Sequence, residues 1–399
     1  MIAYPAQPRR GRLRRVVKVG AARFCTAKFC AARFVIALLC ALTTVLAPAS
    51  AAQAHAESSP AASDYVTRLT EIAPAVTGLS VAVVQNGTRL QLRNHTGRTI
   101  EVLGYGGEPY LRITPKSTYA NTASASVYIN GDLGVSQQPD NMSVSPAAAP
   151  HWRKLSDTST IRWHDHRTHW MSTQQPPVVR QSSDHQHRIR VWKIALRIEG
   201  GQRDRATFLS TTQVSSAAVE LRGTLDYLPP PQTSWWWAGM FGVVCAIVVL
   251  MAGMRRITRG TRAANIALGG LLILATAAEL TDSVGRALDA GVTGLGVLTQ
   301  LLTTETYGTL AALAAVAAAV LALRNHPSAP FTAGLSAVCL AVLGALTDAA
   351  VFSQGHVAVP WSSELARWCT ATTLALGVGV AVAAWLTAFS LKPSVHDRS

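Results

Sequence analysis

The chain has 399 residues, of which 49% are hydrophobic and only 14% charged, and its formal net charge is +15. So small a charged share is unusual for a soluble globular protein, which points to long apolar runs, and the length allows two or three domains. The positive excess does not argue for a nucleic-acid partner: nine Lys or Arg and no acid fall in the first 33 residues, and basic clusters beside apolar segments are better explained by membrane topology.

Residues 1–56 read as a secretory signal. Arg9, Arg10, Arg12, Arg14, Arg15, Lys18, Arg23, Lys28 and Arg33 form a basic leader, and an apolar run from Phe34 to Leu46 follows. Ala52-Gln53-Ala54 and Ala54-His55-Ala56 both fit the small-residue cleavage rule. An uncleaved anchor is the alternative, but the run is shorter than the roughly 20 residues a span needs. The six cysteines at 25, 30, 40, 245, 339 and 369 lie in the leader or in apolar runs. The polar middle of the chain therefore has no internal disulfide, even if it is exported to an oxidising compartment.

Residues 57–228 read as an exported all-β domain. Leu79 to Val84 is rich in β-branched residues, Asn86-Gly87 is a strong hairpin signal, and Arg89 to Arg93 alternates with period two. Asn94-His95-Thr96-Gly97 reads as another turn. Further strands are expected at Thr99–Leu103, Tyr110–Ile113, Ser126–Ile129, Ile189–Leu196 and Val219–Leu225, with a Ser/Pro/Ala/Gln-rich loop at Gly134–Pro150. Seven or eight short strands separated by turns suggest a small, immunoglobulin-like sandwich.

Pro229-Pro230-Pro231 opens a stiff linker over 229–234. Trp235-Trp236-Trp237 then marks the expected outer water–lipid boundary, where indoles are favoured. Five transmembrane helices are expected in 235–390, at Trp235–Met254, Ala263–Leu280, Glu305–Leu323, Phe331–Phe352 and Leu365–Phe389, followed by a tail over 391–399. Arg255, Arg256, Arg259, Arg262, Arg324, Lys392 and Arg398 fall on one side of these spans. The positive-inside rule makes that side cytoplasmic. The chain is then a multi-pass plasma-membrane protein in contact with lipid, its polar domain extracytoplasmic and its carboxyl terminus inside. Glu279, Asp282, Glu305, Asp348 and Glu364 sit toward the outer ends of the spans, where solvated helix ends are the first explanation and a negative rim that receives a cation is the second.

The stretch Trp163-His164-Asp165-His166-Arg167-Thr168-His169-Trp170-Met171 carries the densest set of donor atoms in the chain. On a strand, His164 and His166 share one face and Asp165, His169 and Met171 the other. On a helix, Asp165 and His169 are neighbours four apart, and His166 and His169 three apart. Either geometry offers His164, His166 and His169 as ligands to a transition metal, with Asp165 and Met171 as further ligands or supporting groups. Imidazole with thioether makes copper the expected ion and zinc the alternative. His151, His185 and His187 lie in the same domain and are candidates to complete the set. The competing reading is structural: Trp163, Trp170 and Met171 pack the core, the histidines are hydrogen-bonded, and the domain docks a protein partner in the cell envelope. The spacing matches no standard zinc motif. No Gly-rich phosphate loop, G-x-S-x-G, H-E-x-x-H or exported cysteine nucleophile is present, so no enzyme is expected.

Two resemblances bear on these residues. Leu103-Gly104-Tyr105-Gly106-Gly107-Glu108-Pro109-Tyr110-Leu111-Arg112, taken with Trp163 to Met171, resembles a family of actinobacterial membrane proteins. Its members combine a signal, an exported domain with a W-H-D-H-R-x-H-W-M stretch and a helical carboxyl-terminal part. That resemblance implies the architecture and brings no activity. A mature chain beginning His55-Ala56-Glu57-Ser58-Ser59-Pro60 is also similar to CopC-type periplasmic copper carriers, which implies a copper-ligating first histidine. Five spans are fewer than a CopD-like partner domain has, and on the membrane side only His356 is placed to help.

Overall fold

The computed structural model describes residues 61–131, 133–134, 145–199, 217–258 and 261–390. The leader, His55 and the 391–399 tail lie outside them.

The amino-terminal part is built from strands β1 (Ala62–Ser63), β2 (Tyr65–Ala73), β3 (Leu79–Val84), β4 (Arg89–Asn94), β5 (Ile100–Leu103), β6 (Pro109–Ile113) and β7 (Thr118–Asn121). Helix α1 (Ala125–Asn130) comes next, then β8 (Trp152–Ser156), β9 (Thr160–Trp163), a 3-10 turn at His166–Thr168, the short helix α2 (Pro177–Gln181), β10 (His187–Ile198) and β11 (Ala217–Tyr227). One sheet runs β2-β11-β10-β5-β6-β7-β8 and another β3-β4-β9, with antiparallel pairing throughout. Both feed a single apolar core. Leu90, Leu92, Ile161 and Trp163 come from the smaller sheet, and Ile100, Leu111, Ile194 and Leu221 from the larger. Each such side chain, taken fully out of water, contributes about 1.5–3 kcal/mol before entropy is charged against it. The order of strands does not establish an immunoglobulin-like sandwich.

The hairpin expected at Asn86-Gly87 joins β3 to β4, and positive φ at Gln85, Asn86 and Gly87 makes the tight reversal. Ser126–Ile129, expected as a strand, lies in helix α1 instead. The Ser124 hydroxyl accepts the Ser126 amide as an N-cap, and Gly131 takes the left-handed conformation that ends the helix. The buried Glu108 carboxylate accepts hydrogen bonds from both the Ser124 and Ser126 hydroxyls, a non-local tie that β-propensity does not register.

Helices α3 (Thr233–Thr258), α4 (Thr261–Asp289), α5 (Leu295–Thr303), α6 (Thr306–Leu323), α7 (Ala329–Cys339) and α8 (Ser363–Ser390) form the carboxyl-terminal part, with the two-residue strand β12 (His356–Val357) ahead of α8. Among the described residues, four helical stretches are long and apolar enough to cross a membrane: Thr233–Met254, Arg262–Asp289, Thr306–Leu323 and Ser363–Leu386. The remaining expected span, Phe331–Phe352, fourth in chain order, is not one continuous helix. Helix α7 passes into a π-turn at Leu340–Ala345, then a bend, then a 3-10 turn at Ala349–Phe352. Apolar composition alone does not distinguish a straight span from a broken one. The broken segment packs antiparallel to α8 through small residues: a Cβ on Gly334 would lie 3.1 Å from that of Ala384, and one on Gly377 only 2.9 Å from the Ala337 carbonyl oxygen.

The β region sits directly on the helix ends rather than hanging from the proline linker. Strand β1 pairs with β12 through Ala62↔Val357 and Ser63↔His356. The Asp64 carboxylate accepts the Gly355 amide at 2.8 Å. At the β3–β4 turn, the Gln85 amide donates to the Asp289 carbonyl and the Asn86 amide to its carboxylate at 2.6 Å, which fastens the hairpin to the end of α4. Arg93 and Arg162 both reach the Gly291 carbonyl, at 3.3 Å each.

The candidate histidine site

Strand β9 ends at Trp163, so neither the strand nor the helix geometry expected for the histidine stretch holds along its length. Asp165 closes the strand and caps the 3-10 turn, its carboxylate accepting the Arg167 amide at 3.1 Å. The same carboxylate is fully buried. It receives Arg167 Nε at 2.8 Å and a terminal guanidinium nitrogen at 2.7 Å, and the Trp163 indole N–H at 3.1 Å. Asp165 thus satisfies an arginine, an indole and a backbone amide. The Arg167 guanidinium also donates to the Leu103 carbonyl at 3.1 Å and lies 4.9 Å from the centre of the Tyr105 ring.

The turn brings three imidazoles together. The rings of His164 and His169 lie 4.4 Å apart centre to centre, and those of His164 and His166 lie 5.0 Å apart, edge to face. His164 Nδ1 is 2.8 Å from the Thr88 carbonyl and His169 Nδ1 is 2.9 Å from the Asp165 carbonyl. A carbonyl oxygen only accepts, so both nitrogens are the protonated donors, and in the neutral rings the lone pair lies on Nε2. Nε2 of His169 is buried and makes no hydrogen bond. Burial pushes His169 down to about 4, against the opposing pull of the Asp165 carbonyl and, more weakly, of the Gly87 backbone. His166 is held by its backbone, whose amide meets the Tyr105 hydroxyl at 3.1 Å and the Asn130 side-chain oxygen at 3.3 Å. Its ring is also shifted down, by burial first and the neighbouring His164 second. Met171 is exposed. Among the described residues, no group of three or more His, Cys, Asp or Glu side chains is already disposed around one metal-sized point.

No family model matches this chain, and no curated protein or solved structure is similar to it.

The other histidines weighed for the site are engaged elsewhere. His151 Nδ1 meets the Thr122 hydroxyl at 2.8 Å, His185 bonds Ser182 and Asp184, and His187 bonds the Ser182 carbonyl beside the Tyr227 ring. His356 lies in the β1–β12 seam. A groove of about 530 Å³ lined by Arg153, Lys154, Arg162 and Thr118 includes none of the clustered imidazoles.

Sequence reasoning did not reveal what supports the cluster. Tyr105, whose hydroxyl donates to Asn130 at 2.6 Å, is pushed up to about 12, by burial first and the Asp165 charge second. The Glu108 carboxyl is raised by burial, but the Ser124 and Ser126 hydroxyls outweigh that effect and hold it below its ordinary value. One signal was present. The Leu103–Arg112 stretch and the histidine stretch, far apart in sequence, meet here through the Leu103 carbonyl and the Tyr105 hydroxyl.

Proposed function

We propose that this is an envelope membrane protein whose β region, on the extracytoplasmic side, binds a transition metal ion through the His164–His166–His169 cluster. Copper is the first candidate and zinc the alternative. The observation that carries the reading is the buried Nε2 of His169, which has no hydrogen-bond partner and lies in a ring that packs against His164. Buried polar nitrogens are nearly always satisfied, so an orphan beside other imidazoles argues for an absent ligand. Tautomers fixed by Nδ1–H to carbonyl bonds are the arrangement typical of metal-ligating histidines. His166 is held by its backbone, and its ring already meets that of His164 edge to face. The Lys and Arg bias of the opposite loops supports the sidedness. The shared core of the two sheets supports a sandwich.

The test is metal content and affinity of the full-length chain in detergent. One copper or zinc per chain is expected, with affinity falling about 10–100-fold in His169→Ala and His166→Ala. Weak, non-stoichiometric binding, or binding unchanged in both variants, rejects the reading.

A second reading is favoured by the buried Asp165–Arg167 pair: the segment is a structural clasp and the β region docks an envelope protein. In that case His166→Ala lowers the thermal midpoint equally with and without chelator, and crosslinking recovers a protein partner.

A further inference from the structure

The helical bundle holds a second cluster, toward the end that carries the β region. The Arg286 guanidinium pairs with three carboxylates: Asp282 one turn earlier on α4, Glu305 at the start of α6 at 2.8 Å, and Asp348 after the π-turn at 2.8 Å. Glu279 lies two turns before Arg286 on α4 and is only 3% exposed. These acids are not solvated helix ends, apart from Glu364, which is exposed. Three carboxyl groups therefore share one guanidinium inside an apolar bundle, and a fourth, that of Glu279, is buried beside them without an ion-pair partner.

The pocket around Glu279 is shaped for its carboxyl group. A Cβ on Gly308 would fall 2.5 Å from one Glu279 oxygen and a Cβ on Gly344 2.5 Å from the other. Glycine on both α6 and the π-turn is what admits the group. Glu279 Oε1 is buried without a hydrogen-bond partner, and so is Asp282 Oδ1. The titratable and charged groups facing the site are Asp282 and Arg286 on α4, Glu305 before α6 and Asp348 after the π-turn. From α8 come Cys369, close enough to feel the Asp282 charge, and Arg367, which spends its donors on the Val351, Gln354 and Gly355 carbonyls.

Keeping four ionised carboxylates against one arginine at this depth is costly, since charge inside a membrane domain is tolerated only when it is paired. Asp282, Glu305 and Asp348 have Arg286 as their partner, and Glu279 does not. We infer that Glu279 is a reversible proton-binding site of the membrane domain, reached past the partly exposed Glu305 and Asp348. A π-turn and a broken helix beside it fit a functional position, because irregular backbone at membrane depth persists where it lines a site.

The experiment is infrared difference spectroscopy on the full-length chain in lipid nanodiscs, between about pH 8 and about pH 5. A protonated-carboxyl carbonyl band is expected that shifts in deuterated water, is lost in Glu279→Gln and is kept in the exposed control Glu364→Gln. Absence of the band, its survival in Glu279→Gln, or its loss on raising sodium at fixed pH overturns the inference; the last outcome would make the site one for a cation. Should Glu279→Gln fail to fold, the wild-type chain is treated with dicyclohexylcarbodiimide, which modifies protonated carboxyls in apolar surroundings, and is mapped by mass spectrometry. An adduct on Glu279 several-fold stronger at the lower pH supports the site, and adducts confined to other carboxyls reject it.

Discussion

Replacing Asp165 with alanine tests how the histidine segment is held. The carboxylate is wholly buried, and the arginine it neutralises is mostly buried, with 18% of its side chain exposed. Breaking such a pair strands a charge and costs roughly 3–5 kcal/mol. The orphaned Trp163 N–H and the lost turn cap are part of that cost, about 1 kcal/mol each. Arg167 keeps the Leu103 carbonyl and the Tyr105 ring, which brings the net figure toward the lower end, about 3 kcal/mol. For a folding unit of roughly 150–250 residues that corresponds to a fall of about 6–12 °C in the thermal midpoint. The assay is thermal unfolding of the full chain in detergent, followed by tryptophan fluorescence, for which the buried Trp163 is a direct reporter. Asp165→Leu combined with Arg167→Met should recover much of the loss, because apolar replacement of both partners removes the stranded charge. A fall below about 2 °C for Asp165→Ala, or a double variant no better than the single, would refute the account of this pair.

Two further expectations concern packing and pH. Gly223 sits where β11 shifts register against β2, and a Cβ there would lie 2.3 Å from the Arg68 carbonyl oxygen and 2.1 Å from the Trp192 indole; Gly223→Ala should destabilise the β region by about 3 kcal/mol, read from chemical unfolding, whereas the more open Gly97→Ala should cost less. In the β1–β12 seam, His356 is pushed down from 6.5 to about 4, by burial first and then by the Arg68 and Arg367 charges. Its folded value lies below its unfolded one, so the stability it confers is complete above about pH 6.5 and is lost as pH falls toward about 4, on the order of 2 kcal/mol. His356→Gln should flatten that stretch of the stability–pH curve, and an unchanged slope would remove His356 from the account.

Much of the β region was legible because period-two alternation and turn chemistry are local. Leu79–Val84, Arg89–Arg93 and the Asn86-Gly87 reversal follow from side-chain shape and from which residues tolerate positive φ. Strands β2, β7 and β8 escaped notice, since their burial patterns are irregular, and β9, which does alternate, is only four residues long. The 126–129 segment turned helical through its ties to Ser124 and Glu108, the second from the β5–β6 loop. At the candidate site, the donor residues were visible and their partners were not: nothing in the spacing of Asp165 and Arg167 reveals that the two neutralise each other in the core.

By itself, then, the sequence determined a polar, strand-rich part followed by apolar helices of membrane-crossing length, because burial in lipid or in a core is dictated by the apolar content of each segment. Only the tertiary structure decided that the imidazoles meet at a 3-10 turn, that one expected span is broken at a π-turn, and that Glu279 fits between two glycines of other elements. Those outcomes depend on which distant backbones come close enough to share a hydrogen bond or exclude a side chain, and no local pattern carries that distance.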